Sequence, residues 1–303
     1  MRLLVVTARY PTADRPAAGN FVRDRLADPA VDATVIGPSR LDAAGWRRYA
    51  SIGRRALTAR GSFDGVEGHF LLPTGALAVL AGRLRRRPVV ILAHGTDVRV
   101  TARRSPAHRW LARWTVANAA AVVANSAATA ELLRELGADP IVIPPGVDLD
   151  RFAPSPRPAK RRVLFLGGAT PGKGLEVARG LADTLAGPGL REVPPGELPS
   201  LLAEHDVVLV PSEQEAFGLV AAEATAAGRW VVARDVGGLR DVVEPGVTGT
   251  LVSRDEEFAD ALRAVPDYDP MVVAARAARF NLRDAQAQLR ILWERVLATG
   301  RRR

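Results

Sequence analysis

Short β-branched runs alternate with helical patterns along the whole chain, and this alternation restricts the possible folds more than any other feature. The runs are bounded by Gly, Pro or Asn, which is typical of buried parallel strands. They lie at 3–7, 33–37, 88–94, 121–126, 140–144, 162–168, 206–212, 229–235 and 248–253. The helical patterns lie at 21–28, 41–60, 74–86, 106–119, 127–137, 173–185, 197–204, 217–227, 256–264 and 284–298. The sequence therefore predicts an α/β protein with doubly wound parallel sheets.

A proline-rich segment divides this pattern into two sets, as expected for a chain of 303 residues. The segment is charged and has no apolar period, which is typical of a linker. We predict a first Rossmann-like domain at 1–150, a linker at 151–161, a second Rossmann-like domain at 162–283 and a terminal helix at 284–303 that packs back toward the first domain. Two such domains are expected to bind ligands in a cleft between the carboxyl ends of their strands.

Composition excludes several kinds of site. The chain has no cysteine, which excludes a disulfide scaffold, a thiol nucleophile and a cysteine zinc site. Its four histidines are scattered, so we expect no metal site. The apolar run at the start is too short for a signal peptide, and no run is long enough to span a membrane. These features predict a cytoplasmic protein that is at most peripheral to the inner face of the membrane.

Positive charge is concentrated in the first half of the chain. Residues 1–150 hold 21 arginines and 13 acidic residues, a net charge of +8, whereas residues 151–303 carry +1. A basic half favours an anionic partner: a phosphorylated acceptor, an acidic membrane surface or nucleic acid. The other interpretation is a compositional bias, since the chain has 40 arginines and two lysines. The pattern of arginines with Trp110 and Trp114 favours either an interfacial helix or a solvated basic face with inward tryptophans.

The segment 211–228 carries the most specific pattern. A predicted strand ends at Pro211, Glu215 precedes a helix predicted to begin near Phe217, and Glu223 lies about two turns along it. Free N–H groups at a helix start can bind an anion, and carboxylates accept hydrogen bonds from the vicinal diols of ribose and hexose. The alternative is a capping glutamate followed by a surface glutamate.

A second pattern lies at 166–176. A predicted strand ends in Gly167 and Gly168, and Lys173 opens a helix. Glycines let the backbone approach a phosphate, and a lysine adds positive charge beside a helix start. The spacing is not that of a Walker A loop. The alternative is a turn with a solvated lysine.

Two further candidates lie in the first domain. His94, in AHGTD, follows a predicted strand, where a residue can reach a ligand at the sheet edge. The connection at 9–24 is long, and Gly19 lies just before its helix, where it could hold an anion or an acceptor. The alternatives are a structural histidine and an ordinary glycine cap. His69 ends a strand-like run, VEGHF.

In this order, these stretches resemble the retaining glycosyltransferases of family 4 (group 1), which have the GT-B fold of two Rossmann-like domains. The resemblance spans nearly the whole chain, and its most specific part is the pair Glu215 and Glu223 within PS-x-x-E-x-F-G. The other matching stretches are RYP…AGNFV, EGHFLLPTG, HGTD, NSAATAELLRELG, IPPGVDLDRFAP, GGATPGKG and DVGGLRDVVEPGVTGTLV.

The resemblance implies a role for each candidate residue. Glu215 would bind hydroxyls of the donor sugar, Glu223 the ribose, and Lys173 the diphosphate. His94 would approach the transferred sugar from the first domain, Gly19 would line the cleft beneath the donor, and the loop around Val193 would form part of the base pocket. Further donor contacts would come from Gly167, Gly168, Ala216, Phe217, Gly218 and Leu219.

Two departures from the family pattern affect these expectations. The family usually has an arginine where this chain has Gly168, so one diphosphate contact is missing or is supplied elsewhere. The span between Lys173 and Pro211 is also short, and it has little room for the strand and helix that the family normally has there. The nucleotide preference therefore stays open between UDP and GDP.

The resemblance implies transfer of a hexosyl group from an NDP-sugar to a hydroxyl acceptor, with retention and without a metal or other cofactor. The departing diphosphate would help to deprotonate the acceptor. The acceptor is expected to be anionic, with weak membrane contact through the basic domain and no nucleic acid partner. The rivals are a sugar-nucleotide epimerase or hydrolase of similar fold and a non-catalytic nucleotide-sugar sensor, because the fold alone does not fix the function.

Overall fold

The computed structural model describes residues 1–12, 18–39 and 45–300. Part of the predicted loop at 9–24, the start of the predicted helix at 41–60 and the arginine tail lie outside these residues. The chain divides into two compact units. Unit 1 is Met1–Pro144 with Arg283–Arg303, and unit 2 is Pro145–Leu282.

Unit 1 is built on a parallel sheet. Within the described part of this unit, the strands are β1 (Arg2–Val6), β2 (Asp32–Ile36), β3 (Gly65–His69), β4 (Val89–Ala93), β5 (Ala121–Ala124) and β6 (Ile141–Val142). The helices between them are α1 (Asn20–Leu26), α2 (Trp46–Thr58), α3 (Ala76–Arg85), α4 (Pro106–Ala117) and α5 (Ala127–Arg134). The strand order is β2-β1-β3-β4-β5-β6, so it reverses between β1 and β3. Ligands of open α/β sheets bind beyond the carboxyl ends of the strands at such a reversal.

The sheet of unit 1 is covered on both faces. Successive side chains of a strand point to opposite faces, and in β1 both sets are apolar and fully buried. Leu4 and Val6 belong to the core on one face, and Leu3 and Val5 to the core on the other. This arrangement explains why β1 reads as a continuous hydrophobic run without alternation.

Unit 2 repeats the architecture with a shorter sheet. Its strands, among the described residues, are β7 (Val163–Phe165), β8 (Thr184–Leu185), β9 (Val207–Val210), β10 (Trp230–Arg234) and β11 (Gly249–Val252). Its helices are α6 (Leu175–Arg179), α7 (Leu198–Ala203), α8 (Leu219–Ala226), α9 (Leu239–Val242), α10 (Glu257–Arg263) and α11 (Pro270–Ala275). All strand pairs are parallel, and the order β11-β10-β9-β7-β8 reverses between β7 and β9.

The segment predicted as a linker packs onto unit 2. Phe152 is buried in the core of this unit. The guanidinium of Arg157 bonds to the buried Asp206, with 2.8 Å between Nε and Oδ1, and lies 4.3 Å from the ring centre of Tyr268.

A last helix, α12 (Leu282–Gly300), returns to unit 1. Leu289, Leu292 and Trp293 belong to the same core as Leu3 and Val5. Gly65 leaves room for the indole, since a Cβ at this position would lie 2.3 Å from the ring of Trp293. Ile291, although apolar, is 47% exposed.

The sequence predictions omit the short helices α9 and α11, and they fail between β7 and α7. The helix predicted at 173–185 is only the five residues of α6, because Gly172 and Gly174 adopt left-handed conformations before it and Gly180 follows its end. Thr184 and Leu185 form the short strand β8 instead. Among the described residues, none of the helices combines the length and apolar character needed to cross a membrane.

Candidate functional site

In unit 2, two loops meet where the strand order reverses. One follows β7 and carries Lys173, and the other follows β9 and carries Glu215. The loops pack closely, because a Cβ on Gly174 would lie 2.4 Å from the carbonyl oxygen of Pro211. The N–H of Glu213 also donates to the carbonyl of Gly172 at 2.9 Å. The left-handed glycines therefore hold the lysine loop against the glutamate loop.

These two loops bring Lys173 and Glu215 into contact. The Nζ of Lys173 donates to Oε2 of Glu215 at 2.6 Å. The lysine side chain is 33% exposed and the glutamate 17%. Solvent therefore reaches both groups.

The start of α8 lies immediately after Glu215. Gly218 has a φ of +100°, which a residue with a side chain rarely adopts, and the helix therefore begins at Leu219 rather than near Phe217 as predicted. Phe217 is buried against Phe280, with ring centres 5.3 Å apart. The first N–H groups of α8 have no partner within the helix and are available to an anion.

A neighbouring turn supports this segment. The N–H of Gly238 donates to the carbonyl of Glu215 at 3.0 Å. A Cβ on Gly238 would lie 2.4 Å from the carbonyl oxygen of Ala216. This contact gives a physical reason for the second glycine of the pair in the DVGGLRD stretch of the sequence.

The remaining candidates of unit 2 lie around this point. Glu223 is half-buried in α8, and Val193 packs against the core beneath the loop that follows β8. Gly167 adjoins Lys173, since a Cβ there would lie 3.0 Å from that of the lysine.

Gly168 occupies a position that excludes an arginine in this conformation. Its φ is +65°, and a Cβ would lie 2.5 Å from the carbonyl oxygen of Pro188. Its N–H donates to the carbonyl of Ala186 at 3.0 Å. The missing family arginine is therefore part of the local backbone geometry and not a simple side-chain change.

In unit 1, His94 follows β4 and is enclosed by aromatic rings. Its ring centre lies 4.7 Å from that of Phe21 and 4.5 Å from that of Phe70. Burial, and after it the positive charge of Arg9, lowers the pKa of His94 well below its usual value. The imidazole is therefore neutral at pH 7.

His94 is linked to a buried acid through a second histidine. Nε2 of His94 lies 3.1 Å from Nδ1 of His69, and Nε2 of His69 lies 3.1 Å from Oε1 of Glu67. The other carboxylate oxygen of Glu67 accepts from Arg25 at 2.9 Å and from Trp293 at 2.8 Å. Burial alone would raise the pKa of Glu67, but these partners outweigh it and lower the pKa from 4.5 to about 2. Sequence analysis missed the acid partner of His69, although residues i and i+2 of a strand share a face.

Asp97 fixes the backbone at the same place. Its carboxylate accepts the N–H of His94 at 3.1 Å and also the N–H of Leu71. These bonds tie the end of β4 to the segment after β3. Burial raises the pKa of Asp97, and the backbone donors counteract part of that shift. Sequence analysis gave this aspartate of the HGTD stretch no role.

An open cleft of about 670 Å³ lies beside this cluster in unit 1. Arg9, Arg48, Tyr10 and Tyr49 contribute to its lining. Gly19 adjoins it, with a φ of +78° and a backbone so close to Arg9 that a Cβ would lie 2.7 Å from the arginine carbonyl. A pocket that combines guanidinium and hydroxyl groups suits an anionic, hydroxylated ligand.

Comparison with known families assigns both units. Residues 2–151 match the family described as Glycosyltransferase Family 4, and residues 149–266 match the family described as Glycosyl transferases group 1. The chain belongs to the family 4 (group 1) glycosyltransferases. The resemblance in the sequence is thereby confirmed.

Curated relatives carry one recurring name. A protein of Geodermatophilus obscurus named D-inositol 3-phosphate glycosyltransferase is 38% identical over 270 residues, covering 68% of this chain and 60% of the relative. A protein of Nocardia farcinica with the same name is 33% identical over 268 residues, covering 68% and 59%. The chain thus spans about 60% of the length of these relatives.

Solved structures confirm the GT-B fold class for the two parallel-sheet units. Sucrose-phosphate synthase from Thermosynechococcus elongatus has a TM-score of 0.75 at 18% identity, covering 98% of this chain and 99% of that one. Anabaena HepE in complex with UDP-glucose has a TM-score of 0.72 at 19% identity, covering 97% and 99%.

Proposed function

We propose that the protein is a retaining glycosyltransferase that moves a hexosyl group from a UDP- or GDP-sugar to a hydroxyl of an anionic acceptor. The observation that carries this proposal is the contact between Lys173 and Glu215, 2.6 Å apart at the strand reversal of unit 2 and next to the start of α8. Family membership supports it, as does the likeness in fold to Anabaena HepE, a protein solved with UDP-glucose bound.

The donor is proposed to bind unit 2, with one side chain each for its diphosphate, its sugar and its ribose. Lys173 binds the diphosphate, Glu215 the sugar hydroxyls and Glu223 the ribose. Lys173 must exchange Glu215 for phosphate oxygens, which the partial exposure of both side chains permits. Backbone from Ala216 to Leu219 binds the sugar-phosphate, and the loops at Gly167, Gly168 and Val193 face the nucleoside.

The first N–H groups of α8 take the place of the family arginine that Gly168 excludes. Backbone donors need no reorganisation when the diphosphate departs, and they are effective where charge develops in the transition state. Two kinds of group therefore stabilise the leaving diphosphate in this chain: one ammonium and a helix start.

The acceptor is proposed to bind the cleft of unit 1. Arg9 and Arg48 supply positive charge there, and the net charge of +8 on residues 1–150 acts in the same direction. The curated relatives are named for an inositol phosphate, which is both anionic and rich in hydroxyls. An acceptor of this class, a phosphorylated polyol, fits the arginine and tyrosine lining.

The reaction proposed is a front-face substitution. The bond between the anomeric carbon and the diphosphate oxygen breaks, the acceptor oxygen bonds to the same face of that carbon, and its proton passes to the leaving diphosphate. The protein contributes alignment and charge stabilisation, with His94 directed at the reacting sugar. A glycosidase would need two carboxylates across the sugar, and no such pair is part of this proposal.

Donor breakdown with and without acceptor tests the proposal. The protein is incubated with UDP-glucose, UDP-N-acetylglucosamine or GDP-mannose, with and without an inositol phosphate, and the products are followed by NMR. We expect breakdown only with an acceptor, and a product with the anomeric configuration of the donor. Breakdown without an acceptor would favour an epimerase or hydrolase, and binding alone would favour a sensor.

A further inference from the structure

A buried polar row in unit 1 ends at His94. It runs from Arg25 through Glu67 and His69 to His94, with the distances of 2.9, 3.1 and 3.1 Å given above. Glu67 and His69 are 0% and 1% exposed. The planes of the two imidazole rings are nearly parallel, with an angle of 10° between them and 5.3 Å between the ring centres. Because the row is buried, its hydrogen bonds restrict which imidazole nitrogens can carry a proton.

The first proton position follows from Glu67. The carboxylate is ionised in the folded protein and can only accept hydrogen bonds. Its Oε1 therefore requires a proton on Nε2 of His69. This bond fixes the ring orientation of His69, as a carboxylate does for many functional histidines.

The second proton position follows from the charge balance. Arg25 and Glu67 already compensate each other. A further proton on Nδ1 of His69 would add a positive charge to this buried, already neutral pair, which is disfavoured. Neutral His69 thus presents the lone pair of Nδ1, and the proton in the bond between the two histidines lies on Nε2 of His94.

This arrangement defines what His94 can offer to a ligand. Nε2 is committed to His69, so a neutral His94 has a lone pair on Nδ1. In the described part of the chain, this nitrogen has no hydrogen-bond partner. Phe21 and Phe70 pack against the ring and hold its plane.

We propose that Glu67 and His69 are positioning residues that hold His94 in its Nε2–H tautomer, so that Nδ1 accepts a hydrogen bond from a substrate hydroxyl. The role of the substrate rests on the proposed function, whereas the tautomer does not. His94 then orients a hydroxyl group and is not a proton donor in the transfer.

Nitrogen-15 NMR of the imidazole rings tests the tautomer directly. The full chain has four histidines, so few ring systems need assignment, and single substitutions identify each one. We expect Nε2 of His94 to be protonated and Nδ1 to be unprotonated at pH 7. A protonated Nδ1, whether in the other tautomer or in the charged ring, would overturn the proposal.

Three variants separate positioning from folding. His69→Phe removes the acceptor, so His94 should become a mixture of tautomers. His69→Gln retains an oxygen that can accept from Nε2–H and should restore the single tautomer. His108→Phe, at a half-buried histidine of α4, is the matched control. It should leave the tautomer of His94 unchanged. An unchanged His94 spectrum in His69→Phe would contradict the proposal.

Activity gives a second readout. We expect His69→Phe to lower kcat about tenfold with unchanged UDP affinity, and His69→Gln to recover most of kcat. Equal kcat in His69→Phe and the parent protein would rule out positioning. If the tautomer behaves as expected but no donor sugar is transferred, the proposed function fails and the proton assignment stands.

Discussion

Each unit holds an ion pair near the reversal of its strand order, and the two pairs differ in burial and in the number of their partners. Arg25 and Glu67 are 7% and 0% exposed, and Glu67 also bonds to His69 and Trp293. Lys173 and Glu215 are 33% and 17% exposed, and among the described residues each of these side chains bonds only to the other. The first pair is closed to solvent, whereas the second is the pair that we propose to open for a ligand.

This difference in burial predicts that a substitution will have different effects at the two ion pairs. A buried carboxylate with several donors holds its neighbours rigidly, and removal of one partner leaves an uncompensated charge. A partly exposed pair contributes less to stability, so its exchange for a ligand costs less. The following substitutions separate the two cases.

The largest effect is expected at Glu67. Glu67→Gln removes the charge that compensates Arg25, and we expect the free energy of unfolding to fall by about 3 kcal/mol. Chemical denaturation at pH 7 measures this. Glu176→Gln, at an acid that is 82% exposed and pairs with Arg179, is the control and should change stability by less than about 0.5 kcal/mol.

The carboxylate of Glu67 should also make the stability of the fold depend on pH in the acid range. The folded pKa of Glu67, about 2, lies below the unfolded value of 4.5. The contribution of Glu67 to the free energy of unfolding is therefore complete above the unfolded pKa, and it is lost as pH falls through the folded pKa. The total loss is about 3 kcal/mol. The slope of unfolding free energy between pH 5 and 2 should flatten in Glu67→Gln, and parallel slopes would contradict the assignment.

At His94 the expected effect is on transfer. His94→Ala should reduce kcat about 100-fold, because the reacting sugar is no longer held in place, while UDP or GDP affinity stays near normal, because the nucleotide contacts are proposed in unit 2. Melting temperature, nucleotide affinity and transfer rate are measured on one preparation, with His108→Ala as control. A joint loss of stability and affinity would indicate a packing role for His94, and normal transfer would exclude it from the reaction.

Substitution of Lys173 tests whether its ion pair with Glu215 opens to bind phosphate. Lys173→Ala should weaken UDP or GDP binding by about tenfold to 100-fold and leave uridine or guanosine binding unchanged. Calorimetric titration measures both. The second lysine, Lys160, provides the control variant Lys160→Ala, because it is exposed in the segment before β7. Equal losses for nucleotide and nucleoside would mean that Lys173 acts on the structure.

Substitution of Glu223, which is proposed to bind the ribose, should weaken nucleotide binding as much as substitution of Lys173 or less. Glu223→Ala removes a charged acceptor for the ribose diol, and we expect about tenfold weaker binding of UDP or GDP and of the nucleoside alike. Glu204→Ala, at an exposed position after α7, is the control. Unchanged affinities would remove Glu223 from the donor site.

The weakest expected interaction is with a membrane. Leu84 of α3 and Trp110 of α4 are each 66% exposed, and the exposed Arg109 and Arg113 lie on the same helix as the tryptophan. We expect weak flotation with anionic vesicles at low salt, and loss of it in Trp110→Glu but not in Trp46→Glu. Equal recovery with neutral vesicles would contradict an anionic membrane partner.

Much of the fold could be predicted because its information is local. Apolar runs such as the one at 3–7 and helices such as α4 follow from periodicity and caps. The two-residue strand β8 could not be predicted, since it depends on pairing with β7 rather than on its own side chains. The start of α8 at Leu219 could not be predicted either, since it follows from the left-handed conformation of Gly218, where a Cβ would lie 2.7 Å from the side chain of Leu239.

The candidate site was predictable in part. The sequence identified Lys173, Glu215 and His94 as candidates through their positions after strands, and the structure brings the first two into contact. It did not reveal the row behind His94, because Arg25, Glu67 and Trp293 are distant in sequence and meet only in the folded unit. The spacing of Glu67 and His69 on β3 was the one local signal.

The return of α12 to unit 1 has a consequence for synthesis. Trp293, which donates to Glu67, leaves the ribosome after the whole of unit 2. In the folded unit, its indole fills the space that Gly65 leaves and gives Glu67 one of its donors. The core of unit 1 therefore cannot be completed until the residues that follow unit 2 have been synthesised.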